Sequence, residues 1–414
     1  MFYPLFLKKI KPLYCVILLY VIWVLSLMLR NPGGSDDFNV FFNAGQRLLN
    51  GENIYGEPYY MNLRYFYSPL FAGFLALFSN VNVEVVKMFW YLMNVTLLVR
   101  IMYIIGRYVN WNFKGHVWAL VFLLLLTGKM VLANFLTSQI SIFMLWAILE
   151  SFYQCSKGRW LSSVIILCIG INIKILPVMI IPFYLLFTEN KFRFATTSVA
   201  VTVLLLLIPA LWTGWQYNSF LVQQWFTLIS PVNPMHVVQV YEGGFLDLGM
   251  LVSKYFSAAP VMNEPSVNIA SISNDSVFML TNILRVIILL ISVRVVSKMV
   301  SNPFKIDKAF VQLTPFVAMI PLLLPHQRDY SLLFFVPLLT VLIAFIVRLN
   351  KLFLYSLFAV LCIVSGMFAW LDLVGSNVVD IYINYRIITM GMLAILFFYL
   401  SLIHLYNKGY WTEF

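Results

Sequence analysis

The chain is poor in charge. Only 10% of its 414 residues are Asp, Glu, Lys or Arg, against roughly 25% in soluble domains, which excludes an ordinary water-soluble globule. Basic residues outnumber acidic ones, 27 to 16, for a net charge of +11. These Lys and Arg flank apolar runs, so they are read as orienting membrane spans and not as a nucleic-acid surface. The four cysteines, Cys15, Cys155, Cys168 and Cys362, all lie in or beside apolar runs. Their spacing fits neither a disulfide framework nor a metal site. A Walker loop is missing, which excludes an ATP-driven transporter core. No small-residue cleavage pattern follows the first apolar run, so that run is expected to stay as an anchor. No internal repeat is found, which counts against many transporter architectures.

What is present is apolar sequence, 62% of the chain, in repeated runs near 20 residues. The expectation is an all-α polytopic membrane protein. Residues 1–414 form one integral unit of about 12 transmembrane helices with both termini cytoplasmic. Lys8, Lys9 and Lys11 place the N-terminus inside, before a first span from Leu13 to Leu29. Residues 30–83 form a first external loop with interfacial helices. Within it, Phe41 to Leu49 has helical spacing, and Leu70 to Phe78 is too short to cross.

Later spans are read at Val85–Ile105, Val117–Leu132, Ser138–Tyr153, Ala195–Leu211, Val277–Val296, Ala309–Leu324, Ser331–Val347, Phe353–Trp370 and Ile387–Leu405. Between them lies an apolar run of about 27 residues, Leu161 to Phe187, interrupted by Asn172, Lys174 and Pro177. Two short helices joined near Lys174 satisfy the charge rule better than one long helix. A long external segment, 213–275, is rich in Trp, Tyr, Gln, Asn and Pro. Its one Lys or Arg is Lys254.

The charge counting sends several scarce polar residues to one face. Asp36 and Asp37 follow the first span directly. Lys174 lies at the break, and Pro325-His326-Gln327-Arg328-Asp329-Tyr330 forms an exit loop. A carboxylate at a water–lipid boundary suits a general base, and burial there raises its pKa toward a working value. Lys174, His326 and Arg328 suit a phosphate or another anion. Bland readings stand beside these. An aspartate before Phe38 equally suits a helix cap, and a lysine in an apolar run equally suits snorkelling. An Arg328–Asp329 ion pair would be structural. The Tyr55, Tyr59, Tyr60, Tyr65 and Tyr67 cluster reads first as an interfacial aromatic belt, with stacking on a sugar as the alternative.

These residues also resemble a family. Asp37-Phe38-Asn39-Val40-Phe41-Phe42-Asn43-Ala44-Gly45, Leu48-Leu49-Asn50-Gly51, Ile54-Tyr55 and Phe66-Tyr67-Ser68-Pro69-Leu70 resemble the first external loop of glycosyltransferase family 87. Thr137-Ser138-Gln139-Ile140, Gly158-Arg159 and Gly170-Ile171-Asn172-Ile173-Lys174-Ile175-Leu176-Pro177 are similar to its Gly/Ser-Gln and Lys-x-x-Pro region. The His326 segment is similar to its late histidine-bearing loop.

The resemblance implies a GT-C fold and an inverting transfer of a sugar, usually mannose, from a polyprenyl-phosphate donor to a lipid or glycan acceptor. It implies no metal and no other cofactor. It implies Asp37 as base, with Asp36 as the alternative. His326, Arg328 and Lys174 would serve the donor phosphate, and Tyr55, Tyr67 and Gln139 the acceptor or sugar. The expected setting is a bacterial inner membrane, in contact with membrane lipids, with the site on the periplasmic face.

Two other classes compete. An O-antigen polymerase or ligase would call for arginine-rich external loops, which 213–275 lacks. A lipid or solute transporter would give transport without covalent product. No DxD motif beside a soluble nucleotide-binding domain is present, which argues against a nucleotide-sugar donor.

Overall fold

The computed structural model describes residue 22 and residues 36–57, 60, 63–110, 117–230, 233, 236, 244–258, 265, 267–299, 306–366 and 375–408. Apart from residue 22, the expected first span lies outside the described residues, as does Tyr59. The described chain is helical, and its only β pairings are two isolated bridges, Tyr60 with Leu63 and Ser257 with Ile272.

Helix α1, Asp36–Leu49, has the 3.6-residue spacing that buries one face: Phe38, Phe41, Phe42 and Leu48 are inside. Phe38 and Phe41 pack on Trp90 with ring centroids 5.7 and 6.2 Å away. Helix α2, Pro69–Ala76, opens on proline, whose missing N–H costs nothing at a helix start. Gly45 lets α1 and α2 cross closely, since a Cβ there would stand 2.8 Å from the Ala76 backbone nitrogen. At eight residues, α2 is too short to span a bilayer.

Helix α3, Val83–Val109, is capped by Asn82, whose side chain accepts from Glu84 N–H at 2.9 Å. Helices α4, Val117–Leu136, and α5, Ser141–Ser156, meet at an elbow bent by 119°. The two were expected as separate spans. Helix α6, Trp160–Ile173, ends where Lys174 turns extended (φ −143°, ψ 132°) and Pro177 follows in a 3₁₀ turn, Leu176–Ile180. Helix α7, Ile181–Phe187, continues from it. The long apolar run is therefore broken at Lys174.

Helix α8, Lys191–Leu207, precedes two helices inside the long 213–275 segment: α9, Trp215–Ile229, and α10, Leu248–Phe256. Helix α11 is Asn274–Ser297, and α12, Lys308–Ala318, carries Pro315 and stops short of a separate turn, Ile320–Leu323. Helix α12 runs past Pro315 to Ala318, and Pro321 opens the following turn, so what the sequence suggested as one span is divided near Met319. A 3₁₀ segment, Asp329–Phe335, leads into α13, Val336–Leu349. Helices α14, Leu352–Val364, α15, Ser376–Asn384, and α16, Ile387–Asn407, complete the described chain.

Five described helical stretches are long and apolar enough to cross a membrane, or six if the bent α4–α5 pair is one span. Four shorter apolar stretches of 10–17 residues accompany them. The stretch Asp329–Leu349 is central: 83% of its apolar window is buried in protein, against 22% for Lys191–Thr213 and for Asn274–Ser297. Those outer helices turn apolar side chains outward, as lipid-facing helices do.

Candidate active site

Asp37 lies in the first turn of α1, where the helix dipole favours a negative charge. Its carboxylate oxygen Oδ2 accepts from Nε2 of Gln139, a side chain from the α4–α5 elbow. Asp36 opens the same helix, and its side chain lies outside what the structure describes.

The elbow is held by several polar ties. Ser138 sits at φ +48°, its carbonyl accepts from Trp90 Nε1 at 3.1 Å, and its hydroxyl is 2.8 Å from the Tyr91 hydroxyl. Gln139 N–H donates to Asn134 O at 2.9 Å. The Asn134 side-chain amide in turn donates to Tyr330 O at 2.8 Å, tying the elbow to the late loop. Gln139 and Asn134 are both buried, so these bonds form away from water, where an unmade bond is costly.

Lys174 enters from the end of α6. Ser68 N–H donates to the preceding carbonyl, Ile173 O, at 3.3 Å, which anchors the first loop beside it. The Lys174 ammonium lies over two rings, 5.1 Å from the centre of Tyr67 and 5.9 Å from that of Tyr330. It is within electrostatic reach of both Asp37 and His326. Burial, with Tyr330 and Asp37 nearby, holds the Tyr67 hydroxyl well above its ordinary pKa, so it keeps its proton.

His326 stands in the left-handed backbone region, φ +58°. That conformation is uncommon for a residue other than glycine and is often found at functional sites. Its ring is packed by Phe66 at 4.9 Å and Phe245 at 5.5 Å. His326 Nε2 lies 2.9 Å from Nδ1 of His236. Burial, with His236, Lys174, Arg328 and Arg64 close by, holds its imidazole down to about 3. It is therefore neutral under ordinary conditions and offers a hydrogen bond, not a charge. The guanidinium of Arg328 lies 5.1 Å from the Phe245 ring centre.

The structure brings together Asp37, Gln139, Tyr67, Lys174, His326 and Arg328. Tyr55 plays a different part. Its hydroxyl donates to Tyr67 O at 2.8 Å and its ring packs against Tyr65 at 5.9 Å, so it ties the loop together.

The sequence reading missed His236, Phe245 and Arg64. His236 carried a usable signal: it is one of only four histidines, the same scarcity that drew attention to the aspartates. The 213–275 segment is part of the site's wall. Trp225 Nε1 donates to Phe66 O at 3.3 Å, Leu246 N–H to Gln327 O at 2.7 Å, and Tyr217 hydroxyl to Glu52 O. Asp247 caps α10 by accepting from Met250 N–H at 3.2 Å, and its burial pushes its carboxyl up to about 6.

Chemically, this is a carboxylate on one side, cations and a neutral imidazole on the other, and rings between. It suits removal of a proton at Asp37 and stabilisation of an anionic group near Lys174 and Arg328.

Comparison with known proteins gives one match. The family model of glycosyltransferase family 87 matches residues 65–263, a stretch that contains Tyr67, Gln139, Lys174 and His236 and leaves Asp37 and His326 outside it. No curated protein and no solved structure matches the chain. Over that stretch the chain is thus similar to glycosyltransferase family 87, and this match together with its apolar helices supports a membrane glycosyltransferase.

Proposed function

We propose that the enzyme moves a sugar, mannose in the first instance, from a polyprenyl-phosphate donor to a hydroxyl of a lipid or glycan acceptor, with inversion. The carrying observation is the position of Asp37: in the first turn of α1, hydrogen-bonded by buried Gln139, and within electrostatic reach of Lys174. Asp37 takes the acceptor proton as the acceptor oxygen attacks C1 of the sugar. The C1–O bond to phosphate breaks, and polyprenyl phosphate leaves with the bonding pair. Lys174 and Arg328 balance the charge that grows on the phosphate, and His326 supplies a hydrogen bond. Tyr67 and Gln139 line the sugar side. Asp36 is the alternative base. The cationic work falls to these side chains, so no metal or other cofactor is part of the proposal.

The proposal includes a GT-C arrangement of about 12 spans with both termini cytoplasmic. It places the enzyme in a bacterial inner membrane with the site on the periplasmic face. Supporting this, the first loop, the 213–275 segment and the 325–330 loop are tied to one another by the hydrogen bonds and ring contacts above.

The test is transfer in vitro. Purified protein in detergent receives radiolabelled polyprenyl-phosphate mannose and an extract of lipids and glycans, beside Asp37→Asn. Label in a new product with wild type alone supports the reading. Equal transfer by a folded Asp37→Asn protein refutes the base assignment, and label in no product refutes mannose as donor sugar.

A further inference from the structure

We propose that His236 is a positioning residue that locks His326 in a single neutral tautomer. The inference rests on the reading of His326 as the imidazole beside the donor phosphate. A neutral imidazole has one N–H and one lone pair. When two neutral rings share a hydrogen bond, one donates and the other accepts, so the state of one ring dictates the state of the other. The bond between His236 Nδ1 and His326 Nε2, at 2.9 Å, is such a coupling. The rings meet nearly edge to face, 5.0 Å apart with an interplanar angle of 82°. That geometry is made by an in-plane nitrogen, not by stacking.

The surroundings keep both partners neutral. Burial lowers His236, with Arg285 adding to the effect. Around His326 stand Lys174, Arg328 and Arg64. Protonating either ring would add a positive charge among these cations. His236 itself is buried, and its Nε2 has no hydrogen-bond partner among the described residues.

The mount is firm on both sides. Phe245 packs on His326, Leu246 N–H reaches Gln327 O at 2.7 Å, and Thr389 Oγ1 donates to Leu246 O at 2.9 Å. Helix α16 therefore braces the strap that carries Phe245 against His326. A bare packing role for His236 would need only an apolar ring. The hydrogen bond adds control over which nitrogen of His326 bears the proton that meets the substrate.

The experiment uses full-length protein labelled with ¹⁵N-histidine, in lipid, read by solid-state NMR, with His326 assigned by comparison with His326→Gln. Wild type should show one neutral tautomer at His326, and His236→Phe should show a mixture or the other tautomer. In transfer assays His236→Phe should lower kcat by about 10–100-fold with little change in donor KM. His236→Asn, which keeps a polar nitrogen near the place of Nδ1, should recover most of it. The double variant His236→Phe with His326→Gln should be no slower than His326→Gln alone.

A tautomer mixture in wild type, or an unchanged tautomer in His236→Phe, overturns the proposal. So do additive losses in the double variant. Should His236→Phe fail to fold, His236→Asn and the wild-type spectrum still decide. Should wild type transfer no mannose, that donor reading falls, while the spectra judge this proposal separately.

Discussion

Two charged arrangements lie within the apolar body, and they are built in opposite ways. Arg100 of α3 and Glu150 of α5 close on each other twice, Nε to Oε2 at 2.7 Å and Nη2 to Oε1 at 3.0 Å. Gln154 adds a third bond to Glu150 at 2.6 Å, and the Arg100 guanidinium lies 4.6 Å from the centre of the Tyr153 ring. Both oxygens of this carboxylate are spent, so the pair joins two helices and offers little to a ligand.

At Lys174 the charge is handled differently. Among the described residues no carboxylate comes within 4.0 Å of its ammonium, and two aromatic faces take the place of a counter-ion. The nearby acid, Asp37, accepts a hydrogen bond from the Gln139 amide. Self-satisfied charge suits a structural tie, whereas an ammonium held over rings suits an anionic ligand.

The sharpest way to break this comparison is to remove one carboxylate at a time. Asp37→Asn should lower transfer by about 10³-fold or more with an unchanged melting temperature. Glu150→Gln should keep kcat within a few-fold and lose stability. The reverse pattern would mean that the paired site is the active one.

Next, Lys174→Met should reduce kcat/KM by about 10²-fold in the same assay. A loss of stability without a loss of rate would assign Lys174 to the frame.

The stability loss in Glu150→Gln is expected at about 1–3 kcal/mol. This is below the ~3–5 of a fully buried broken pair, because the Arg100 side chain is 34% exposed. Replacing both partners by leucine should recover most of it, as read by thermal unfolding in detergent.

The smallest effect is a pH dependence. Because His326 is held down to about 3 when folded and titrates near 6.5 when unfolded, the unfolded chain binds the proton first on acidification. The stability conferred by neutral His326 is full above pH 6.5 and declines as pH falls toward 3. Wild type should therefore lose more stability than His326→Gln between pH 7 and 4.5, and parallel curves would contradict the burial of a neutral ring.

Legibility in the sequence followed distance along the chain. The amphipathic face of α1 was readable because Phe38, Phe41, Phe42 and Leu48 repeat at helical spacing within 14 residues. The break at Lys174 was readable because Pro177 and Asn172 mark it locally. Asp37, Lys174 and His326 were found because charge and histidine are scarce against so apolar a background. Their roles were not readable in the same way. Tyr55 and Tyr67 looked equivalent in sequence, yet one hydroxyl ties the loop together while the other ring carries Lys174. His236 shares the scarcity of the other histidines, but its segment gives no periodic or motif signal, and its part shows only in its meeting with His326.

The sequence by itself determined the class of the molecule: apolar runs that must satisfy their backbone bonds internally become helices. It also placed their local punctuation, at Asn82, Asp247, Ser273 and Asp307 as caps and at Pro177 as a break. Such features depend on neighbours within about one helical turn. Tertiary structure alone decided which scarce polar groups meet. Gln139 reaches Asp37 across 102 residues, His326 meets His236 across 90, and Asn134 holds Tyr330 across 196. Hydrogen bonds need donor and acceptor within about 3 Å and aligned, a condition that composition and periodicity do not encode and that helix packing supplies.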